Sequence, residues 1–106
     1  MFLDTDMNND IHMKRFEMVI ANEQLDLLLE LLKKSGILGY TLIKNVGGYG
    51  SRGVRDPHEK FYPSANVLVI FLCKEDQVQA VVDEIVPVRK VLSGMCIFSD
   101  CQRIQQ

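Results

Sequence analysis

No stretch of this 106-residue sequence is apolar for longer than the seven residues from Val67 to Cys73, whereas a membrane span needs roughly 20. A membrane-crossing helix is therefore not expected. The opening segment, Met1 to Asp10, lacks a basic flank and an apolar core and carries Asp4, Asp6 and Asp10, so it does not read as a secretory signal. The expectation is a cytoplasmic protein with a disordered acidic leader over 1–12 and one domain over 13–106. Cysteine is scarce. Cys73, Cys96 and Cys101 form no close CxxC pair, which argues against a disulfide framework and a structural zinc site. Cys96 and Cys101 have an odd separation that puts them on opposite faces of a strand, and Cys73 reads as a small core residue. Basic charge is not in excess either: 12 Lys and Arg stand against 14 Asp and Glu, a net charge of -2. No general polycation for nucleic acid is present.

What is present fits one ordinary soluble domain, with 47% hydrophobic and 25% charged residues. The charge is unevenly placed. Between Lys33 and Lys60 six basic residues face Asp56 and Glu59, a net +4 in a chain whose total is -2. A basic, glycine-rich stretch inside an otherwise acidic protein points to a local anion site, or to a solvated loop with scattered charges.

Apolar spacing reveals a repeat. Leu25, Leu28, Leu29 and Leu32 follow the i, i+3, i+4, i+7 pattern of a helix face, and Val78, Val81, Val82 and Ile85 repeat it half a chain later. The first helix is expected to start at an Asn22 N-cap and to end with Lys33 and Lys34 before Gly36. The second is expected to start near Glu75 and to stop near Pro87, since proline removes a donor and clashes with the preceding turn. Phe16, Met18 and Ile20 alternate with Arg15 and Glu17 as in a strand, and Val67 to Cys73 is a β-rich run. Further strands are expected from Tyr40 to Val46 and from Met95 to Cys101. The order βαββαβ implies an α+β ferredoxin-like sandwich, an antiparallel four-stranded sheet with two helices on one face. Its third long strand is apolar on both sides while helices cover one, which implies a homo-oligomer.

The connection from about Gly47 to Ala65 is long for a compact domain. It holds Gly48, Gly50 and Gly53 in a GxGxxG spacing, but Asp56 and Pro57 follow where a dinucleotide-binding fold needs a helix. Such a loop can still turn backbone N–H groups toward an anion, and Arg52 and Arg55 carry the planar fork suited to phosphate. The alternative is a hairpin loop whose glycines only relieve backbone geometry. Asp4, Asp6, Asn8 and Asp10 imitate a calcium loop, but Asn9 and Arg15 stand where Gly and Glu are required. His12 and His58 have no ligand spacing and read as surface residues. No nucleophile, base and orienter recur at a recognisable spacing, so an enzyme is not indicated. A small acylphosphatase-type phosphohydrolase is a rival reading, but Ala21 to Glu23 offers no phosphate cradle after the first strand.

The sequences Gly39-Tyr40-Thr41-Leu42, Gly47 to Arg55 and Ser93 to Asp100 resemble the PII signalling superfamily. In particular they resemble its PII-like branch associated with bicarbonate transport or carboxysome operons, over about Lys14 to Arg103. The resemblance implies a ferredoxin-like homotrimer that binds an adenine nucleotide (AMP or ADP, with ATP or cyclic AMP as further candidates) between subunits. Bicarbonate is implied as a second ligand. A T-loop at about 47–65 would dock on a membrane transporter, giving peripheral membrane association, or on an enzyme partner. The nucleotide would then be a regulatory ligand and no cofactor obligatory. By the same resemblance Thr41 would lie near the adenine, Gly48, Gly50, Arg52 and Arg55 near the phosphates, Arg89 and Lys90 near the B-loop, and Arg103 in the tail that reaches a neighbour. Met95 stands about where nitrogen-sensing members carry a lysine, and Tyr62 does not match their modified tyrosine. The resemblance therefore does not extend to tight ATP-Mg binding, 2-oxoglutarate sensing or uridylylation. The alternative within the superfamily is a regulator of nitrogen or metal handling.

Overall fold

The computed structural model describes residues 12–50, 53–55, 66–92 and 94–104. Strand β1 (His12–Ala21) runs through a 3-10 turn at Asn22–Gln24 into α1 (Leu25–Lys34), and β2 (Thr41–Val46) follows. A short ribbon of β3 (Gly48–Gly50) and β4 (Gly53–Arg55) comes next, then β5 (Asn66–Cys73). A 3-10 turn at Glu75–Gln77 opens α2 (Val78–Ile85), another at Val86–Val88 passes to α3 (Arg89–Leu92), and β6 (Met95–Gln102) follows. The four long strands form one sheet in the order β2-β5-β1-β6 with every neighbouring pair antiparallel. This is the expected ferredoxin-like arrangement. The acidic leader lies outside the described residues except for His12, which belongs to β1 and pairs with Gln102.

The alternation in β1 decides which side is covered. Phe16, Met18 and Ile20 are buried, as are Val67, Val69, Phe71 and Cys73 opposite them on β5. Leu28 and Leu32 of α1 and Val81 and Ile85 of α2 close over these residues, the same two helix positions in each half of the repeat. Across the middle of the sheet Phe71, Phe16 and Phe98 stand in register on β5, β1 and β6. Their rings stack with centroids 4.8 Å and 5.0 Å apart, which adds a geometric preference to the burial of large apolar area.

The helix ends depart in part from expectation. Asn22 does not cap α1; the chain turns first through a 3-10 segment whose N-cap is Ala21, without a side-chain bond. The C-terminus is as expected. Gly36 has φ 85, the Gly36 amide donates to Lys33 O (3.1 Å) and the Ile37 amide to Leu32 O (2.8 Å). This is a Schellman closure, with Ile37 and Leu32 both in the core. As expected, the second helix stops just before Pro87, with α2 ending at Ile85. Pro87 sits in the first turn of the 3-10 segment, where no N–H is needed, and the chain continues into α3. Lys34 and Glu84 tie α1 to α2 at 3.8 Å.

Gly94 enters β6 against the backbone of β1. A Cβ added there would overlap the Val19 carbonyl oxygen and carbon. Because both obstacles are main-chain atoms of the central strand, no rotamer relieves them. Gly94→Ala is expected to cost about 1–3 kcal/mol or more, the scale of core overpacking. Urea denaturation checks this, and an unchanged midpoint would show that β6 can move away from Val19.

Candidate functional site

Thr41 is exposed at the start of β2 and lies opposite Ile70, on the side of the sheet that carries no helix. Gly48 and Gly50 are strand residues in the β3–β4 ribbon, with Gly48 opposite Arg55 and Gly50 opposite Gly53. The glycines thus lie in a short antiparallel ladder, with three residues on each side of position 51–52 paired with one another. The register brings Gly48 and Arg55 together along the backbone. Arg52 and most of the expected T-loop, with His58 and Tyr62, lie outside the described residues. Arg89 and Lys90 form the start of α3, and the Arg89 guanidinium donates through Nη1 to Val86 O at 2.7 Å. Arg103 is exposed just beyond β6.

Within one chain the described candidates are divided between the two edges of the sheet. β2 and β6 are the two edges of the sheet, with β5 and β1 between them. Three strand spacings of about 4.8 Å separate the edges by roughly 14 Å. Val46, the last residue of β2 before the glycines, lies level with Asn66 and Ala21 at one end of the sheet. α3 leads through Gly94 to Met95 opposite Val19, at that same end but on the other edge. Arg103 follows Gln102, which pairs with His12 at the far end of β1.

The helix-free side is apolar. Leu68, Ile70 and Val19 are half-buried, and Ile43, Leu72, Met95 and Ile97 are exposed beside them by register. One ion pair, Arg15 Nη2 to Glu17 Oε1 at 3.7 Å, lies on the same side of β1. Phe98 is 49% exposed on the helix side, where β6 runs past the two helices.

Two of the clefts among the described residues lie elsewhere. One, of about 620 Å³, is lined by Asp26, Leu29, Glu30, Lys33, Ile37, Leu38 and Tyr40. The other, of about 480 Å³, contains His12, Lys14, Glu75 and Asp100 among its lining. Both carry more carboxylates than ammonium groups, which disfavours a phosphate, and neither contains a candidate residue. Among the described residues no group of three or more His, Cys, Asp or Glu is placed to hold a metal ion. The three cysteines are free. Cys96 and Cys101 fall on opposite faces, opposite Met18 and Met13 respectively. Desolvation pushes the buried Cys73 thiol up, which keeps it protonated at neutral pH.

Two features escaped the sequence reading. Lys14 bonds to Asp100, a contact across 86 positions that no local pattern announces. Asn45 adopts φ 60 at an irregularity in β2; its signal was an Asn shortly before a glycine pair, a residue type that tolerates this conformation.

Comparison with known proteins gives a consistent result. The family model described as nitrogen regulatory protein P-II matches residues 13–106. The UPF0166 protein MJ1524 of Methanocaldococcus jannaschii is 36% identical over 76 residues, which span 70% of this chain and 68% of that protein. Among solved structures, CPII from Thiomonas intermedia K12, a nitrogen regulatory PII-like protein bound to ADP, AMP and bicarbonate, superposes with a TM-score of 0.80. It is 25% identical, over 89% of this chain and 90% of that one. A PII-like signaling protein of Thermus thermophilus, TTHA0516, shares the fold with a TM-score of 0.71 at 17% identity, over 89% and 91% of the two chains.

The Lys14–Asp100 bond generates a pH prediction. The hydrogen bond to Asp100 holds the Lys14 ammonium above the usual lysine value, against the effect of desolvation and with Coulombic support from Asp100 and Glu75. A group raised on folding stabilises below its unfolded pKa and ceases to do so as pH rises through the folded one. Asp100→Asn should therefore melt slightly below wild type at neutral pH. The gap should close only above the ordinary lysine value of about 10.4. Melting curves from neutral to alkaline pH check this, and a gap that closed near neutrality would assign the effect to another group.

Proposed function

The chain belongs to the nitrogen regulatory protein P-II family, and we propose that it is a signal-transduction protein of inorganic-carbon metabolism. In this reading it binds adenine nucleotides in clefts between the subunits of a homotrimer. It regulates carbon uptake or fixation through the loop over 47–65, which docks on a membrane transporter or an enzyme.

One observation carries this reading: the candidate residues are divided between the two edges of one sheet, so a complete site needs the β2 edge of one chain beside the β6 end of another. The apolar helix-free side supplies the surface that would drive such an assembly. The likeness to CPII, which holds ADP, AMP and bicarbonate, supports the ligand class. Thr41 would then contact the adenine, and Gly48 and Gly50 would let the backbone approach the phosphates. Arg52 and Arg55 would pair with them bidentately, Arg89 and Lys90 would add charge, and Arg103 would reach in from a neighbouring subunit. Bicarbonate fits beside an arginine as a small planar anion. No bond needs to be broken, and the family is regulatory rather than catalytic. The phosphohydrolase alternative required a cradle after the first strand, where Asn22–Gln24 instead form a 3-10 turn. Signalling requires the nucleotide to bind one arrangement of the loop better than the other, because equal affinity for both shifts nothing.

Titration calorimetry with AMP, ADP, ATP and cyclic AMP, each with and without bicarbonate, tests the ligand class. Binding of at least one adenine nucleotide is expected, and no heat with any of them would overturn the reading. Light scattering at micromolar concentration should give three times the mass of the 12.1 kDa chain, and a stable monomer would remove the shared cleft.

Arg52→Ala should weaken nucleotide binding by roughly 1.5–3 kcal/mol, the scale of a hydrogen bond to a charged group, or about tenfold and more. Arg52→Lys should recover part, since an ammonium keeps the charge and loses the fork. His58→Ala serves as the control. Equal affinity in wild type and Arg52→Ala would take this arginine out of the site.

A further inference from the structure

Asn45 is the one non-glycine residue with positive φ among the described residues. It stands at a break in the ladder between β2 and β5. Lys44 pairs with Val67 and Val46 with Asn66, so Asn45 is an extra residue without a counterpart on β5. This is a β-bulge, with its extra residue in the left-handed conformation that glycine usually supplies there.

The bulge changes the phase of the strand. Leu42 and Lys44 lie opposite Val69 and Val67, on the side that the helices cover. In an unbroken strand Val46 would follow them to that side, because side chains alternate with a period of two. The extra residue instead sets Val46 opposite Asn66, on the helix-free side with Ile43 and Thr41. Asn66 is buried and is held on its other flank by Ala21 of β1, so the partner that defines the new phase belongs to the centre of the sheet. From Val46 the chain passes through Gly47 directly into β3.

We infer that Asn45 is a positioning residue. Its left-handed backbone sets the phase and direction in which the chain leaves the sheet, and hence how Gly48 and its register partner Arg55 are presented. Asparagine suits the task because its short polar side chain tolerates φ > 0, whereas a β-branched residue there is an outlier. A valine at this position would be drawn to the extended region and would bring Val46 back toward the helix side. The consequence for ligand binding rests on the nucleotide reading proposed above.

The test uses ¹⁵N-labelled wild type, Asn45→Gly and Asn45→Val, with Asn45→Ala carrying the test should the valine variant fail to fold. Without ligand, the Gly48 and Gly50 amide resonances should coincide in wild type and Asn45→Gly and should move in Asn45→Val, while those of Val67 to Phe71 stay in place. In calorimetry with ADP, Asn45→Gly should retain wild-type affinity and Asn45→Val should lose about tenfold, with the assembly state unchanged. Glycine amides that do not move in the valine or alanine variant would overturn the inference. Amides that move with unchanged ADP affinity would overturn its link to the ligand. A wild type that does not bind ADP or its relatives would sink the proposed function instead, while the resonances still decide the role of Asn45.

Discussion

The pairing of β1 on both of its edges is the constraint on which the remaining structure depends. It has β5 along one side and β6 along the other, each over eight residue pairs, so its backbone groups are satisfied within the sheet over most of its length. That leaves its side chains to decide the layers. Phe16, Met18 and Ile20 point to the helices and are almost fully buried, and Phe16 lies between Phe71 and Phe98 in the ring stack. Truncating a buried aromatic of this kind typically costs about 3–5 kcal/mol, a large share of what a domain of this size has. The approach of Gly94 to the Val19 backbone belongs to the same constraint, because β6 can lie against β1 only if nothing projects at the point of entry.

A sheet covered on one side has three unsatisfied features: an open face and two edges. Here the open face is lined by Leu68, Ile70, Leu72, Ile43, Met95 and Ile97. One edge leads into the glycine ribbon and the other is flanked by α3 and Arg103. On the function proposed above, the placement of candidate groups on separate edges would link assembly to ligand binding in a physical sense. A cleft completed by two chains would present its charges only in the assembled form, and a ligand held there would add to the stability of the assembly by mass action. The device that aims the glycines is local by comparison, a single residue of left-handed backbone at the end of β2.

Much of this was legible in the order of residues. The two leucine and valine stripes identified α1 and α2, and Leu28, Leu32, Val81 and Ile85 proved to be their buried positions. The Gly36 closure was readable because positive φ after a helix is strongly tied to one residue type. An error arose where neighbouring signals competed. Asn22 has the chemistry of a cap, yet the chain tightens into a 3-10 turn before α1 begins. Pro87 was legible as a stop, since α2 ends at Ile85, whereas the 3-10 turn that takes up the proline beyond it was not. The glycine run is a short ribbon, with Tyr49 opposite Val54 and Gly48 opposite Arg55, a pairing that the spacing of the glycines does not announce.

By itself the sequence determined the succession of strands and helices, the face of each that is buried and the family to which the chain belongs. Those are properties of periodicity and short motifs, written within a few turns or strand lengths. Only the tertiary structure decided that β2 and β6 are the edges, that Lys14 meets Asp100, and that Asn45 rather than a glycine shifts the phase of β2. Each of these depends on which distant strands pair and in which register. Long-range pairing is set by the packing of whole faces against one another, and that is a property of the folded sheet rather than of any segment in it.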